Sequence, residues 1–257
     1  MLSPHADDAA LSLGGCLLAL ALPQPVTIVT IFGESNFMFG AFHGDVPAVS
    51  KRRREEDEAF ASTAGVGLLS WPYAEASLRP LSATSHGGLF AGDCDQPNVA
   101  PAGLAERLSR LLTDSPPELL LSPLGLGRHR DHLLVQQLAS RLAAHHQVAI
   151  AYYEDLPYAA AQSFRSIQAW ARNIDASLTP WAVSIVAELA AKVSGLAHYS
   201  SQIGAAEVQR VVNHAFGRSW LERVRSFRLR GAVQYPIERV WNRDYVLPGR
   251  FLECSYF

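Results

Sequence analysis

The chain has 257 residues, 49% hydrophobic and 18% charged, enough for one large core in one domain or two. A formal charge of −2 without basic runs argues against nucleic acid as the main partner. Three cysteines (Cys16, Cys94, Cys254) are odd in number and form no CxxC pair, which argues against a disulfide framework or a zinc ribbon and for a reducing, cytoplasmic setting.

Residues 1–4 supply only the tail of a strand, so the first strand is very short or the chain begins part-way along it. A helix is expected from Asp8 to about Leu22, with Leu11, Leu17, Leu18 and Ala21 on one face and Pro23 and Pro25 closing it. The longest apolar run, residues 11–22, holds Ser12 and two glycines and falls short of the ~20 residues of a membrane span. Asp7 and Asp8 stand where a secretory leader would be basic and then apolar, so a soluble chain is expected. The β-branched run 26–32 reads as a buried strand ended by Gly33, followed by a loop to Pro47. Residues 49–64 read as a helix with a solvated charged face, stopped by Gly65. Residues 66–71 are a third strand, and 72–100 a long loop without a period, of the kind that is often functional.

A helix at 101–113, a strand at 118–122, a loop at 123–127, a helix carrying Leu134, Val135, Leu138 and Leu142, and a strand at 148–153 complete the pattern. Five strands alternating with four helices predict an α/β fold, a doubly wound, mostly parallel sheet of order about 3-2-1-4-5. Beyond Glu154 the signal weakens: 164–185 is ambiguous, 187–201 helical, 219–229 short and basic, and Val233, Tyr235 and Val240 suggest added strands. The expected organisation is one domain, 1–257, with a core at 1–155 and a C-terminal cap of helices and strands at 156–257.

Two polar knots carry the chemistry: His5-Ala6-Asp7-Asp8 after strand one and His129-Arg130-Asp131-His132 after strand four. In the expected order those strands are neighbours, and the crevice outside their carboxyl ends is where such sheets bind ligands. His5 and Asp8, three apart across a turn into a helix, can face one ion, and His132 can supply a third ligand. Two imidazoles and a carboxylate with vacant positions make an open catalytic site, favouring zinc (Zn2+) and also suiting iron(II) (Fe2+). Asp7, beside the ion, is placed to take a proton from activated water. His129 can stabilise an oxyanion and, if cationic, protonate a leaving amine. Asp131 would orient one imidazole from behind.

Pro4 to Asp8 with Leu11, Gly14 and Gly15, and then His129 to His132, resemble the two signature motifs of the PIG-L/LmbE-like zinc-dependent deacetylases. Arg53 to Glu56 before Ala64-Gly65, Pro123 to Gly127, Tyr153-Glu154 and Tyr199 to Gln202 extend the similarity to about residue 202. The resemblance implies a Rossmann-like fold and removal of an N-acetyl group from an N-acetylglucosamine-type sugar or glycoconjugate. It implies His5, Asp8 and His132 as zinc ligands, Asp7 as base, His129 as acid or oxyanion stabiliser, and Arg53 near the substrate. Ala6 and Arg130 depart from the motifs at non-ligand positions, and Glu75 stands where relatives often have a substrate-contacting aspartate.

Blander readings stand beside these. Asp7 and Asp8 could merely cap a helix, and so could Asp131. Arg53 could belong to a solvated face, while Tyr153, Glu154 and Asp155 could line the pocket without reacting. Gly14 and Gly15 are expected to permit close packing, and Cys16 to be a small core residue. His145, His146, His198 and His214 carry no partner pattern. The same metal could instead serve another amide, an ester or a phosphoester, or persist in a non-catalytic sugar-binding protein. A homo-oligomer stays open.

Overall fold

A computed structural model describes residues 1–79, 99–217, 235–243 and 251–253. Most of the expected 72–100 loop, Cys94, Cys254, Val233 and the basic stretch 219–229 lie outside the described residues. The elements run β1 (Leu2–Ser3), α1 (Asp8–Leu18), β2 (Thr27–Thr30), the hairpin β3 (Phe37–Met38) and β4 (Ala41–Phe42), α2 (Val46–Ala64) and β5 (Gly67–Ser70). Then follow α3 (Leu104–Asp114), β6 (Leu120–Pro123), α4 (Arg130–His146), β7 (Ile150–Tyr153), α5 (Phe164–Ile174) and β8 (Thr179–Ser184). The chain continues through α6 (Leu189–Leu196), α7 (Ala205–Ala215), β9 (Ile237–Asn242) and β10 (Phe251–Glu253).

The fold is mixed α/β, but the sheet differs from the expected continuous one. Parallel strands β1, β2 and β5 form one sheet in the order β1-β2-β5, and a second runs β10-β8-β9-β7-β6. Within the second, β6 and β7 are parallel, whereas β9, β8 and β10 join antiparallel. β1 lies beside β6, yet among the described residues no ladder links the two sheets. β1 has only two residues, and Pro4 follows it without an N–H to donate. The tyrosine hydroxyl of Tyr153 crosses this seam instead, donating to Leu2 O at 2.9 Å. The C-terminal strands extend the second sheet rather than capping the core from outside.

Apolar side chains bury both sheet faces, with Leu13, Leu17, Phe60 and Trp241 in one cluster and Ile31, Trp71, Leu108 and Leu138 in the other. α1 stops four residues before the expected Leu22, and Leu13 (φ −126, ψ 23) breaks its regularity. Gly15 packs so tightly that a Cβ there would sit 2.7 Å from Ile185 Cγ2, and Cys16 is fully buried, both as the sequence suggested. α2 begins three residues early because the Asp45 carboxylate accepts from Ala48 N at 3.0 Å and Pro47 fits a first turn. Its charged face is not simply solvated, since Arg53, Glu56 and Asp57 are buried. The ambiguous 164–185 stretch resolves into α5 and β8, and α7 had no clear sequence signal. Among the described residues no helix is long and apolar enough to cross a membrane.

Candidate active site

The first knot is a turn locked by its own side chains. Ser3 Oγ donates to His5 O at 2.7 Å and accepts from Ala9 N at 3.2 Å, while His5 N donates to Asp8 Oδ2 at 2.8 Å. Asp7, at the head of α1, is held at φ 144, ψ −28, a costly conformation for a residue with a Cβ. The second knot opens α4, where His129 Nδ1 accepts from Asp131 N at 3.2 Å.

The knots meet. Asp8 Oδ2 lies 3.3 Å from His5 Nδ1 and 3.3 Å from His132 Nε2. Each ring is gripped on its far nitrogen by another carboxylate: His5 Nε2 is 3.0 Å from Asp131 Oδ2, and His132 Nδ1 2.7 Å from Asp155 Oδ1. Such carboxylate–imidazole pairs fix which nitrogen faces a metal. Asp131 is itself anchored by Ala76 N and Arg79, and Asp155 by Leu126 N. His132 Nε2 is buried and makes no hydrogen bond, so the arrangement leaves a ligand atom aimed at Asp8. One ring nitrogen from each of His5, His129 and His132 lies within 4.8 Å of the others, so the His129 ring borders the same space.

The electrostatics fit a cation. Burial opposes charge on both rings, yet Asp131 and Asp8 raise His5 to about 9, and Asp8 and Asp155 hold His132 well above its usual value. Burial would raise Asp8, but His132 and His5 keep it far below the carboxylate range. Protons on the imidazoles thus answer a demand for positive charge that a divalent ion with two nitrogen and one oxygen ligands would meet equally. Burial, and then the charge of Asp8, push Asp7 up to about 7. Burial, and then the charges of His5 and His132, push His129 down to about 3, a direction that disfavours the cation considered from sequence.

A cavity of about 670 Å³ opens over this cluster, lined by His5, Asp7, Asp8 and His129, with Arg53, Glu75 and Tyr158 and one face of the β3–β4 hairpin. Arg53 Nη1 reaches Ser35 Oγ at 2.6 Å and Glu75 Oε2 at 3.2 Å, so the two predicted wall residues pair with each other. Tyr153 needs correcting as a pocket residue: its ring is fully buried in the core and its hydroxyl is committed to Leu2 O, because its side chain points to the sheet seam. Glu154 is turned away too, accepting from Arg239 and Trp241 and sitting 2.7 Å from His214. Sequence reading missed the grip of Asp155 on His132 and the stacking of Tyr158 on His129 at 6.3 Å between ring centroids. Asp155 could have been found as an acid just beyond strand five; Tyr158 had no signal.

Comparison with known proteins adds lineage. The family model described as PIG-L, GlcNAc-PI de-N-acetylase, matches residues 1–143. The 2′-N-acetylparomamine deacetylase of Streptomyces fradiae is 29% identical over 225 residues, covering 84% of this chain and 77% of that protein. A deacetylase from the teicoplanin pathway, solved in complex with teicoplanin, is 20% identical with a TM-score of 0.68 over 99% of this chain and 98% of that one. The 4-carboxy-2-hydroxymuconate hydratase of Pseudomonas putida matches at 14% identity and a TM-score of 0.61 over 95% of each chain. At such identities the two structures establish a shared fold, and the hydratase shows that this fold also carries other chemistry.

Proposed function

The chain belongs to the PIG-L, GlcNAc-PI de-N-acetylase family, and on that premise we propose that it is a metal-dependent hydrolase that removes an N-acetyl group from an amino sugar or its glycoconjugate. The observation that carries this reading is the single Asp8 oxygen 3.3 Å from a nitrogen of both His5 and His132, at the floor of a cavity that also holds Asp7. His5, Asp8 and His132 are the ligands. Zinc suits the set best, and iron(II) is the alternative. A bound divalent ion would polarise the acetyl carbonyl and make water acidic enough to lose a proton near neutral pH.

The remaining residues act around that ion. Asp7, with its carboxyl near 7, accepts the proton of the attacking water. His129, neutral and with Nδ1 occupied by Asp131 N, presents Nε2–H to the oxyanion that forms as water adds. Proton return to the departing amine falls to Asp7, which by then carries it. Asp131 and Asp155 hold the ligand rings, and Arg53 with Glu75 offers a charged pair for sugar hydroxyls. On this reading residues 1–155 carry the reacting groups of a single domain and 156–257 contribute walls. A phosphoester substrate is less favoured: phosphate chemistry commonly uses a second ion, and only one ligand cluster occurs among the described residues.

Elemental analysis of the purified protein, with acetate release from N-acetylglucosamine glycosides and 2′-N-acetylparomamine, tests the proposal. One equivalent of metal without acetate from any N-acetylated amino sugar refutes deacetylation. Asp7→Asn should keep the metal and lose about 10²–10⁴-fold in turnover; a fully active variant removes Asp7 as the base.

A further inference from the structure

The cavity has two sides that come from distant parts of the chain. On one, α2 supplies Arg53; on the other stand Ser200 to Gly204, beyond α6, with the β3–β4 hairpin beside them. One carboxylate ties the two together. Glu56, three residues after Arg53 on α2, is buried and accepts from Ser201 Oγ at 2.6 Å, Ser201 N at 3.0 Å and Arg52 Nε at 3.0 Å, with Ser200 Oγ at 3.4 Å. Ser201 O accepts from Phe39 N at 2.6 Å, and Gln202 Nε2 donates to Ser201 Oγ and to Phe37 O, both at 3.0 Å. The hairpin therefore hangs on Ser201 and Gln202, and Ser201 on Glu56.

Burying a carboxylate costs more than burying an apolar side chain of equal volume, and what it adds is a fixed geometry. The core has its own hold on this segment: Tyr199, fully buried, donates from Oη to Asp57 Oδ1 at 2.8 Å. Arg52 is half exposed, so neutralising Glu56 strands no buried charge. The fold at this point can do without the Glu56 charge. The stance of the wall over the cavity depends on it, which is the preorganisation a binding surface needs.

Resting on the deacetylase reading, we infer that Glu56 is a positioning residue for the part of the substrate beyond the acetamido ring. Acting through Ser201, it sets where the 200–204 wall and the hairpin stand relative to Arg53 and the metal cluster. A cavity of about 670 Å³ has more room than one pyranose and its acetamido arm fill. The metal cluster fixes the acetamido end, so the wall acts on a second ring, in ground state and transition state alike. Loosening the wall should then weaken binding of two-ring substrates and leave the chemical step alone.

The test compares acetate release from the methyl glycoside of N-acetylglucosamine and from 2′-N-acetylparomamine, which carries a second ring, and follows amide exchange by mass spectrometry without substrate. Glu56→Gln should raise KM for the two-ring compound about tenfold and leave KM for the methyl glycoside, and kcat for both, within about twofold. Exchange across 37–42 and 199–204 should quicken about tenfold, the worth of one charged hydrogen bond, while that of α1 stays as it was. Ser201→Ala, milder because Ser201 N still reaches Glu56, should move both readouts the same way and add little to Glu56→Gln. Glu58→Gln, exposed on the same helix, should move neither. Unchanged exchange in Glu56→Gln, an equal rise in KM for both compounds, or a fall in kcat matching the rise in KM each overturns the role. Acetate release from neither compound by wild type sinks the hydrolase reading instead, and the role of Glu56 then stands or falls on the same contrast read as affinity by calorimetry.

Discussion

At the scale of single residues, the candidate site is held by carboxylates behind its imidazoles, Asp131 on His5 and Asp155 on His132. The imidazole–acid spacing of both knots was legible in the sequence because ligand types and strand ends coincide there. The acids behind the rings were half legible: Asp131 sits inside its knot, but Asp155 looks like any polar strand end until its 2.7 Å contact with His132 is seen. Asp57 was hidden altogether inside a charged helical run. It is buried, accepts from Thr30 Oγ1 at 2.6 Å and Tyr199 Oη at 2.8 Å, and has its carboxyl pushed up to about 6 by burial. Because that value exceeds the 3.8 of an ordinary Asp, the folded chain holds an extra proton between about pH 4 and 6. The stabilisation it provides is therefore complete below pH 4 and lost as the pH rises through 6. Asp57→Asn, which cannot ionise, should gain stability relative to wild type across that window, on the order of 3 kcal/mol. Thermal melts of both proteins from pH 3 to 7 would show the gap widening between about pH 4 and 6; a constant gap would mean that Asp57 ionises in the folded chain as an ordinary aspartate does.

At the scale of elements, α1 shows why the first knot is placed so firmly. Its apolar period was readable, but its break at Leu13 was not, because the groups that tolerate the break lie some 180 and 220 residues away. Lys192 Nζ donates to Leu11 O at 2.7 Å and to Glu238 Oε1 at 2.6 Å. The Glu238 carboxylate accepts from Gly15 N at 2.9 Å and Cys16 N at 2.6 Å. A buried ion pair from α6 and β9 thus satisfies the backbone groups freed by the irregular turn. Gly14 leaves room for it, since a Cβ there would touch Lys192 Cγ at 3.4 Å. Removing one partner strands the other's charge in the core. Lys192→Met should lower the unfolding free energy by about 3–5 kcal/mol, seen as a fall in the urea midpoint. A loss below about 1 kcal/mol, the worth of an exposed pair, would mean that α1 holds its kink unaided.

At the scale of the molecule, the two sheets meet where β1 and β6 run side by side without a ladder, and the candidate ligands straddle that seam. His5 and Asp8 follow β1 on one side, and His132 rises from α4 beyond β6 on the other. The sequence made β1, β2 and β5, and β6 with β7, readable as short parallel strands. It gave no means of foreseeing the gap, because pairing depends on two residues of β1 and on prolines that withhold donors. It also left β8, β9 and β10 unplaced, since an antiparallel strand arriving from a distant segment has no local mark of its partner. Across an unladdered seam, an ion shared by both sides would act as a clamp on the native state and have no equivalent site in the unfolded chain. At a hundredfold excess over its Kd such a ligand adds about 2.7 kcal/mol, which in a chain of this size is roughly 5–10 °C in Tm. Zinc addition to chelator-treated protein should therefore raise Tm by that amount, and His132→Ala should lose the increment while His145→Ala keeps it. An increment that survives His132→Ala would place the stabilising ion somewhere other than the seam.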